Sequence, residues 1–297
     1  MIDSPVPVFY NDETIIHYNY KEMLHLKKTI LNIIFVIALI CFCFSAYKLG
    51  TYWWHARQTV QMSNELAGLV NDNDNVVVDI PAVSSDSGSD TQSRQDMRDA
   101  MMKKYGELYN RNSDFIGWLS IEGTDISYPV MQTPGEPEKY LEMNFDGDFD
   151  YHGTLFADAR CRLDPENVST DTIIYGHHMK DRTMFGSLPD FEDSDYCKEH
   201  SMIRFDTLYR PGTYRIFAVI LDQAAEIGSD HVKDIYYNFI DAEDEASLRE
   251  YLDHMYAAAV YYDPENEPKF GDEILTLSTC NYHVTDGRLA LIAVRVN

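Results

Sequence analysis

The longest uninterrupted apolar stretch of the chain lies near its N-terminus and runs from residue 30 to residue 47. Its one strongly polar member is Asn32, and no charged residue interrupts it. About 20 helical residues at ~1.5 Å each cross the hydrocarbon core of a bilayer. The Tyr52-Trp53-Trp54 cluster that follows is typical of a membrane interface. The pattern predicts a single transmembrane signal-anchor helix over residues 30–50.

The residues on either side of this stretch indicate its orientation. Lysines precede it at positions 21, 27 and 28, whereas Lys48 and Arg57 on the far side reduce the asymmetry. Because cytoplasmic flanks carry an excess of Lys and Arg, we expect residues 1–29 to be cytoplasmic and the main domain to lie outside the cell. A cleaved signal peptide and a buried core helix are the alternatives. The length, late start and missing polar face of the stretch disfavour both.

Residues 51–94 combine two kinds of sequence. The first part is mixed in character and compatible with a juxtamembrane helix, whereas residues 71–95 are rich in Asn, Asp and Ser. Such a composition is typical of a flexible connection. We therefore expect residues 51–94 to act as a juxtamembrane stalk and flexible linker that holds the following domain away from the membrane.

The pattern changes again in residues 95–297, which we expect to form one extracellular catalytic domain. It opens with apolar residues at helical spacing between Met97 and Leu108, which predicts an amphipathic helix. Short apolar runs between turn residues follow, at Phe115–Ile121, Thr124–Met131, Gly153–Ala157, Thr172–Tyr175, Met202–Phe205, Thr213–Leu221, Glu273–Thr279 and Leu289–Val296. This rhythm predicts a mainly β fold with helices (α+β), built on a closed or nearly closed β-barrel.

One long helix is predicted between the late strands, over residues 241–259. Asp241 is the expected N-cap, and three acidic residues after it suit the positive end of the helix dipole. Apolar residues then recur on one face from Leu248 to Ala259. Such a stripe more often packs on a core than binds a ligand, although it is also compatible with the wall of a substrate groove.

Charge and cysteine content narrow the classes of function. The formal net charge is −25, and residues 1–50 contribute nothing to it because their four lysines balance four acidic residues. A domain this acidic is unlike one that binds nucleic acid, and unlike one that binds a membrane surface through clustered basic residues. Of the five cysteines, Cys161, Cys197 and Cys280 lie outside the apolar stretch, and no CxxC pair occurs. A disulfide between Cys161 and Cys197 stays open at this point.

The chain end carries the most informative chemistry. A β-branched and aliphatic run leads into Cys280, the Asp286-Gly287 turn follows, and Arg288 begins the next apolar run. Strand alternation places Cys280 on one face with Ser278. A hairpin that holds a thiol opposite a permanent cation favours the reactive thiolate. A buried, inert cysteine is the competing interpretation.

A catalytic thiol usually has a histidine partner, and His177 has the most suggestive context. It follows Gly176 at the end of a predicted strand, a position that presents a side chain rigidly to a site. His178 is adjacent but should point to the other face, and His152 and His283 are weaker loop candidates. Adjacent histidines seldom chelate one ion, so we expect neither a metal site nor a cofactor.

These residues resemble a known family. The run Thr276-Leu277-Ser278-Thr279-Cys280 resembles the TLxTC signature of sortases, the cysteine transpeptidases of Gram-positive cell surfaces. Arg288 falls where that family has its arginine, and Tyr175-Gly176-His177 is similar to its Gly-His element. Residues 140–156, the residues after His177 and the long helix resemble class B in particular. The resemblance implies an eight-stranded barrel, with an N-terminal helix and a long helix between two late strands.

The resemblance also implies a reaction and its partners. Cys280 would attack the threonine carbonyl of a C-terminal sorting motif in a secreted protein, and an amine of a peptidoglycan cross-bridge or a pilin lysine would resolve the thioacyl intermediate. His177 would carry the proton, Arg288 would hold the substrate backbone or oxyanion, and Ser278, Thr279 and Leu141 would contact substrate. The alternatives are a surface cysteine protease without transfer and a non-catalytic, membrane-anchored binding module.

Overall fold

The computed structural model describes residues 12–72, 89–224, 236–282 and 284–296. The chain divides into two compact units, residues 1–54 and residues 55–297. Its helices are α1 (Asp12–Asp72), α2 (Ser89–Arg111), α3 (Ser194–Glu199) and α4 (Glu245–Ala258). Over Met23–Val70, α1 is long and apolar enough to cross a membrane, and none of its most apolar window is buried against protein.

The described residues of the second unit contain nine strands in one sheet. They are β1 (Phe115–Ile121), β2 (Ser127–Met131), β3 (Leu155–Ala157), β4 (Asp171–Tyr175), β5 (Met202–Thr207), β6 (Thr213–Gln223), β7 (Ala259–Tyr262), β8 (Ile274–Cys280) and β9 (Gly287–Arg295). The strand order is β5-β1-β2-β3-β4-β8-β9-β6-β7, and β5 also pairs with β6. Eight strands therefore close into a barrel, and β7 extends it at β6. The predicted eight-stranded barrel is confirmed.

The two faces of the barrel wall bury different sets of side chains. Leu275 and Leu277 of β8 point inward and join the core cluster that fills the barrel. Ile274 of β8 and Ile292 of β9 point outward and pack in a second cluster with the apolar face of α4. Each large apolar side chain buried in this way contributes about 1.5–3 kcal/mol to folding. Position 280 continues the outward-facing set of β8.

The long helix between two late strands is confirmed, but its predicted N-cap was wrong. Asp244, not Asp241, is the N-cap of α4, and its side chain accepts a hydrogen bond from the backbone N–H of Ser247. Asp241 instead accepts from Arg162 at 2.8 Å. Sequence favoured Asp241 because any acidic residue before the apolar stripe suits the helix dipole, whereas the capping box with Ser247 selects the later aspartate. Strand β7 directly follows the helix and was not predicted.

The part of α1 within the second unit is packed against the rest of that unit. Leu66 and Val70 are buried in a cluster with Met101 of α2 and Phe115 of β1. Polar contacts add to this packing, since the Thr59 hydroxyl donates to Asp150 at 2.8 Å. The first part of the 51–94 segment is thus helical and docked, and residues 73–88 of the predicted linker lie outside the described residues.

Candidate active site

Cys280 and Arg288 face each other across two neighbouring strands. They are register partners in the antiparallel pairing of β8 with β9. The hairpin turn that joins the strands contains Asp286 in the left-handed backbone region, with φ of 55°. Aspartate tolerates this conformation better than most residues. The turn thereby brings the thiol and the guanidinium side by side on the outer face of the barrel.

Cys280 differs from the other two cysteines of the second unit in its exposure. It is solvent-exposed, whereas Cys161 and Cys197 are buried and unpaired, so the disulfide left open by the sequence does not form. Burial raises the pKa of both the Cys161 and the Cys197 thiol to about 12. At neutral pH these two thiols stay protonated, and the thiolate is the nucleophilic form. Of the three, Cys280 is the one placed to react with a substrate.

Arg288 is held close to the hairpin by its own backbone surroundings. Its Nη1 donates to the carbonyl of Gly287 at 3.1 Å. On its other side, Arg288 is the register partner of Asp222 in β6. Nη1 of Arg288 also contacts the carbonyl of Asp286 at 3.5 Å. Because an arginine has five N–H donors, these two contacts leave other donors for a ligand. The partly buried guanidinium is thus oriented beside Cys280 and still has N–H donors that can bind a ligand.

Arg295, at the far end of β9, has a different environment. Its guanidinium pairs with Glu273 at 3.5 Å and donates to the carbonyl of Pro211 at 2.7 Å. Arg295 thus serves the closure of the barrel at the end opposite to Cys280, and Arg288 is the arginine of the candidate site.

His177 lies where β4 ends, beside the end of β8. A Cβ atom at the preceding Gly176 would overlap Leu155 and the ring of Phe185, which explains why glycine stands there. Nε2 of His177 donates to the carbonyl of Leu141 at 2.8 Å. Because a carbonyl only accepts, Nε2 carries the hydrogen, and Nδ1 is the ring nitrogen that can exchange a proton.

His178 has a separate role that the sequence did not suggest. Its Nδ1 donates to the backbone carbonyl of Cys280 at 2.9 Å, and its ring lies 5.2 Å from that of Tyr282. The second histidine therefore holds the backbone of the nucleophile strand. From the alternation of side chains along extended backbone, we expected only one of the two adjacent histidines to face the site. Their separate contacts are consistent with that expectation.

One cavity of about 470 Å³ brings the predicted residues together: Leu141, His177, Ser278, Thr279, Cys280 and Arg288 all line it. The hydroxyl of Ser278 lies 2.6 Å from that of Tyr236, and the hydroxyl of Thr279 donates to the carbonyl of Gly176 at 2.8 Å. Both side chains are nearly inaccessible to solvent. They shape the wall of the cavity, whereas Leu141 is 38% exposed and is open to a ligand.

The cavity is also lined by Asp158 and Tyr175, which belong to a polar group that sequence reasoning missed. Asp158 accepts from the hydroxyl of Tyr175 at 2.9 Å and from Arg160 at 2.7 Å. Burial raises the pKa of Asp158, but the bonds from Arg160 outweigh it and the pKa lies below its usual value. Arg160 also donates to the carbonyl of Tyr237 at 2.6 Å. Arg160 is only two residues from Asp158, but Tyr175 lies 17 residues from Asp158 and Tyr237 lies 77 residues from Arg160. No local pattern could have revealed the complete set of contacts.

His152, one of the two weaker histidine candidates, does not line this cavity. His152 is buried between two aspartates, Asp150 and Asp181. His283 lies outside the described residues. Among the residues that the structure describes, no cluster of His, Cys, Asp and Glu is arranged to hold a metal ion. The described lining of the cavity presents a thiol, an imidazole and a guanidinium.

A family model of the sortase domain matches residues 119–296, a range that contains every residue named for the cavity above. The chain belongs to the sortase family. Sortase B of Staphylococcus aureus is 31% identical over 192 residues, which cover 64% of this chain and 73% of that protein. Sortase B of Listeria monocytogenes is 28% identical over 247 residues, covering 83% of this chain and 87% of that protein.

A solved sortase structure agrees with these sequence matches. The Staphylococcus aureus sortase B–substrate complex superposes with a TM-score of 0.56 at 27% identity, and the match covers 72% of this chain and 99% of that one. The barrel fold of the second unit is thus shared with class B sortases. The chain is a class B sortase, an enzyme of the cysteine transpeptidase type.

Proposed function

We propose that this sortase cleaves a C-terminal sorting motif of secreted proteins after threonine and transfers the threonine carbonyl to an amine of the cell wall or of a pilin. The observation that carries the proposal is the single cavity in which Cys280, His177 and Arg288 meet. Membership of the class B sortases supports it. No cofactor takes part in the reaction that we propose.

The first half-reaction forms a thioester. The thiolate of Cys280 attacks the threonine carbonyl, and the guanidinium of Arg288 stabilises the negative charge that develops on the carbonyl oxygen. The C–N bond then breaks, and the leaving amine takes a proton from Nδ1 of the protonated His177. The hydrogen bond from Nε2 to Leu141 orients the ring for this transfer. The carboxyl-terminal fragment leaves as a free amine.

The second half-reaction reverses these roles. The acceptor amine attacks the thioester carbonyl and gives a proton to Nδ1 of His177, and the C–S bond breaks to return the thiolate of Cys280. Arg288 again stabilises the tetrahedral intermediate. In this proposal Leu141 contacts the substrate directly, and Ser278 and Thr279 bound the same pocket through their positions in its wall.

The proposed location follows from the apolar part of α1. We take residues 30–50 as the membrane anchor, residues 1–29 as cytoplasmic and residues 95–297 as the extracellular catalytic domain, with residues 51–94 between anchor and domain. The length and apolar composition of the helix support a single-pass anchor. An anchored domain outside the cell would meet both secreted proteins and cell-wall amines.

Transfer is tested with the full-length chain in bilayer nanodiscs and a library of peptides with an internal threonine. We expect cleavage after threonine and, when triglycine is added, a new product joined to triglycine. Cys280→Ala should abolish both products, whereas Cys41→Ala, which removes an exposed thiol of the apolar helix, should leave them unchanged. Cleavage that persists without Cys280 refutes the proposed function, and hydrolysis that triglycine never diverts shows a protease instead.

A further inference from the structure

A buried histidine outside the cavity has an unusual pair of partners. The side chain of His152 is completely inaccessible to solvent, its Nδ1 lies 3.0 Å from Asp150, and its Nε2 lies 3.0 Å from Asp181. Burial lowers its pKa, but the bonds and charges of the two aspartates outweigh this and raise the pKa above its usual value. Ionised carboxylates only accept, so both ring nitrogens carry hydrogens and the ring is an imidazolium.

One of these partners anchors the loop that carries the candidate catalytic histidine. Oδ1 of Asp181 accepts from the backbone N–H and the hydroxyl of Thr183, at 3.1 and 2.7 Å. The loop closes on itself where the N–H of Phe185 donates to the carbonyl of His177 at 3.0 Å. Fixing Asp181 therefore fixes the far end of the loop that begins at His177.

The other partner anchors the segment that supplies the acceptor for His177. The N–H of Asp150 donates to the carbonyl of Glu142 at 3.0 Å, and the N–H of Thr154 donates to that of Tyr140 at 2.9 Å. Between them, Gly153 has φ of 61°, and a Cβ atom there would come within 2.5 Å of the carbonyl oxygen of Leu141. This close packing holds the carbonyl of Leu141 in the place where Nε2 of His177 finds it.

The Asp181 loop and the Asp150 segment, which both surround His177, are thus joined by one buried cation, the imidazolium of His152. We propose that His152 is a positioning residue for His177, which it acts on by clamping the Asp181 loop to the Asp150 segment. The inference rests on the proposed function, because it gives His152 a part in the reaction only if His177 carries the proton. His152 itself has no contact with the substrate cavity in this proposal.

Helix α1 adds a third anchor to this clamp. The hydroxyl of Thr59 donates to Oδ2 of Asp150 at 2.8 Å, and this carboxylate also receives Nδ1 of His152 on Oδ1. The pKa of Asp150 lies below its usual value because the bonds from His152 and Thr59 outweigh the effect of burial. The docked part of α1 therefore supports the position of His177 through Asp150 and His152.

The test compares His152→Gln with His200→Gln in the full-length chain. His200 serves as the control because its ring contacts the carbonyl of Glu122 and the ring of Tyr196, and neither contact is part of the cavity. A misplacement of about 1 Å costs on the order of 100-fold in rate, so we expect His152→Gln to lower kcat by ~10–100-fold. KM should change less than kcat does, since Cys280 and Arg288 stay in place on the β8–β9 hairpin. His200→Gln should change neither.

A spectroscopic readout is independent of turnover. In the wild type, the Nε2 proton of His177 should give a slowly exchanging imidazole signal in NMR spectra, because Leu141 accepts it. His152→Gln should abolish that signal or make it exchange rapidly. If the variant does not fold, Asp181→Asn is measured in the same way, with Asp253→Asn in the exposed pair with Arg249 as its control.

The outcomes separate this inference from the proposed function. Unchanged kcat and an unchanged His177 signal in a folded His152→Gln or Asp181→Asn chain overturn the positioning role, even if wild-type transfer is demonstrated. Failure of wild-type transfer overturns the proposed function, and the His177 signal then still decides the clamp. Thr59→Val should weaken the signal, whereas Ser63→Ala, which removes a hydroxyl of the same helix that donates to Ser127, should not.

Discussion

On its inner face the β8–β9 hairpin presents leucine side chains to the barrel core. Its outer face carries isoleucines that pack on α4 and, toward the hairpin turn, hydroxyls, a thiol and a guanidinium. Leu275 and Leu277 are fully buried inside, and Cys280 and Arg288 sit at the exposed end outside. Because successive residues of a strand point to opposite faces, one short stretch of chain carries both sets of side chains. The difference shows that the inward-facing side chains hold the strands in place, whereas other side chains of the same strands form the candidate site.

The largest expected effect on stability belongs to the inner face. Leu277→Ala deletes apolar volume from the filled barrel, and such deletions cost about 2–5 kcal/mol because a cavity remains. We expect the urea midpoint to fall by the corresponding amount, while kcat per folded molecule stays within about twofold because the outer face is unchanged. Val260→Ala, at a 47% exposed position of β7, is the matched control and should cost little. A Leu277→Ala chain that is fully stable would contradict the division.

The next largest effect belongs to the outer face and should be kinetic. Arg288→Lys keeps the charge but loses the planar fork that binds two atoms at once, and loss of one oxyanion donor costs about 100-fold in kcat. Arg295→Lys is the control on the same strand, because its partner is Glu273 at the other end of the barrel. Steady-state kinetics and unfolding midpoints are measured for both. Equal losses of kcat in the two variants would refute the distinction between the arginines.

A smaller effect is expected at the base of the outer face, where Asp171 is buried. Thr276 donates to it at 2.8 Å, yet burial raises its pKa from 3.8 to about 7. Between those values the unfolded chain loses a proton that the folded chain keeps, so the unfolding free energy falls as pH rises. Asp171→Asn should remove this slope and stabilise the chain relative to the wild type at pH above 7.

Thermal unfolding at several pH values measures that slope. Asp253→Asn, which changes an exposed carboxylate of α4, serves as the control and should leave the wild-type dependence intact. The two pKa values set the pH range of the test at about 4 to about 7. If the wild type and Asp171→Asn lost stability equally over that range, ionisation of Asp171 would not cause the pH dependence of the unfolding free energy.

Sequence reasoning worked where local pattern and chemistry coincide. The strand ending in Cys280, the turn before Arg288 and the glycine before His177 are each encoded within a few residues. Cys280, Arg288 and His177 all line the cavity. The N-cap of α4 was missed because Asp241 and Asp244 both precede the same apolar stripe. The contacts of Asp158 with Tyr175 and of His152 with Asp181 were missed for another reason, since these partners lie 17 and 29 residues away along the chain.

The central claim is that Cys280 forms the acyl intermediate, and intact-mass spectrometry of the full-length chain tests it most directly. The chain is mixed with a cleavable sorting peptide in the absence of amine, quenched in acid and digested to locate any added mass. We predict one thioacyl adduct at Cys280, which disappears when triglycine is added before the quench. An adduct at Cys161 or Cys197, or peptide turnover with no adduct at Cys280, would contradict the account.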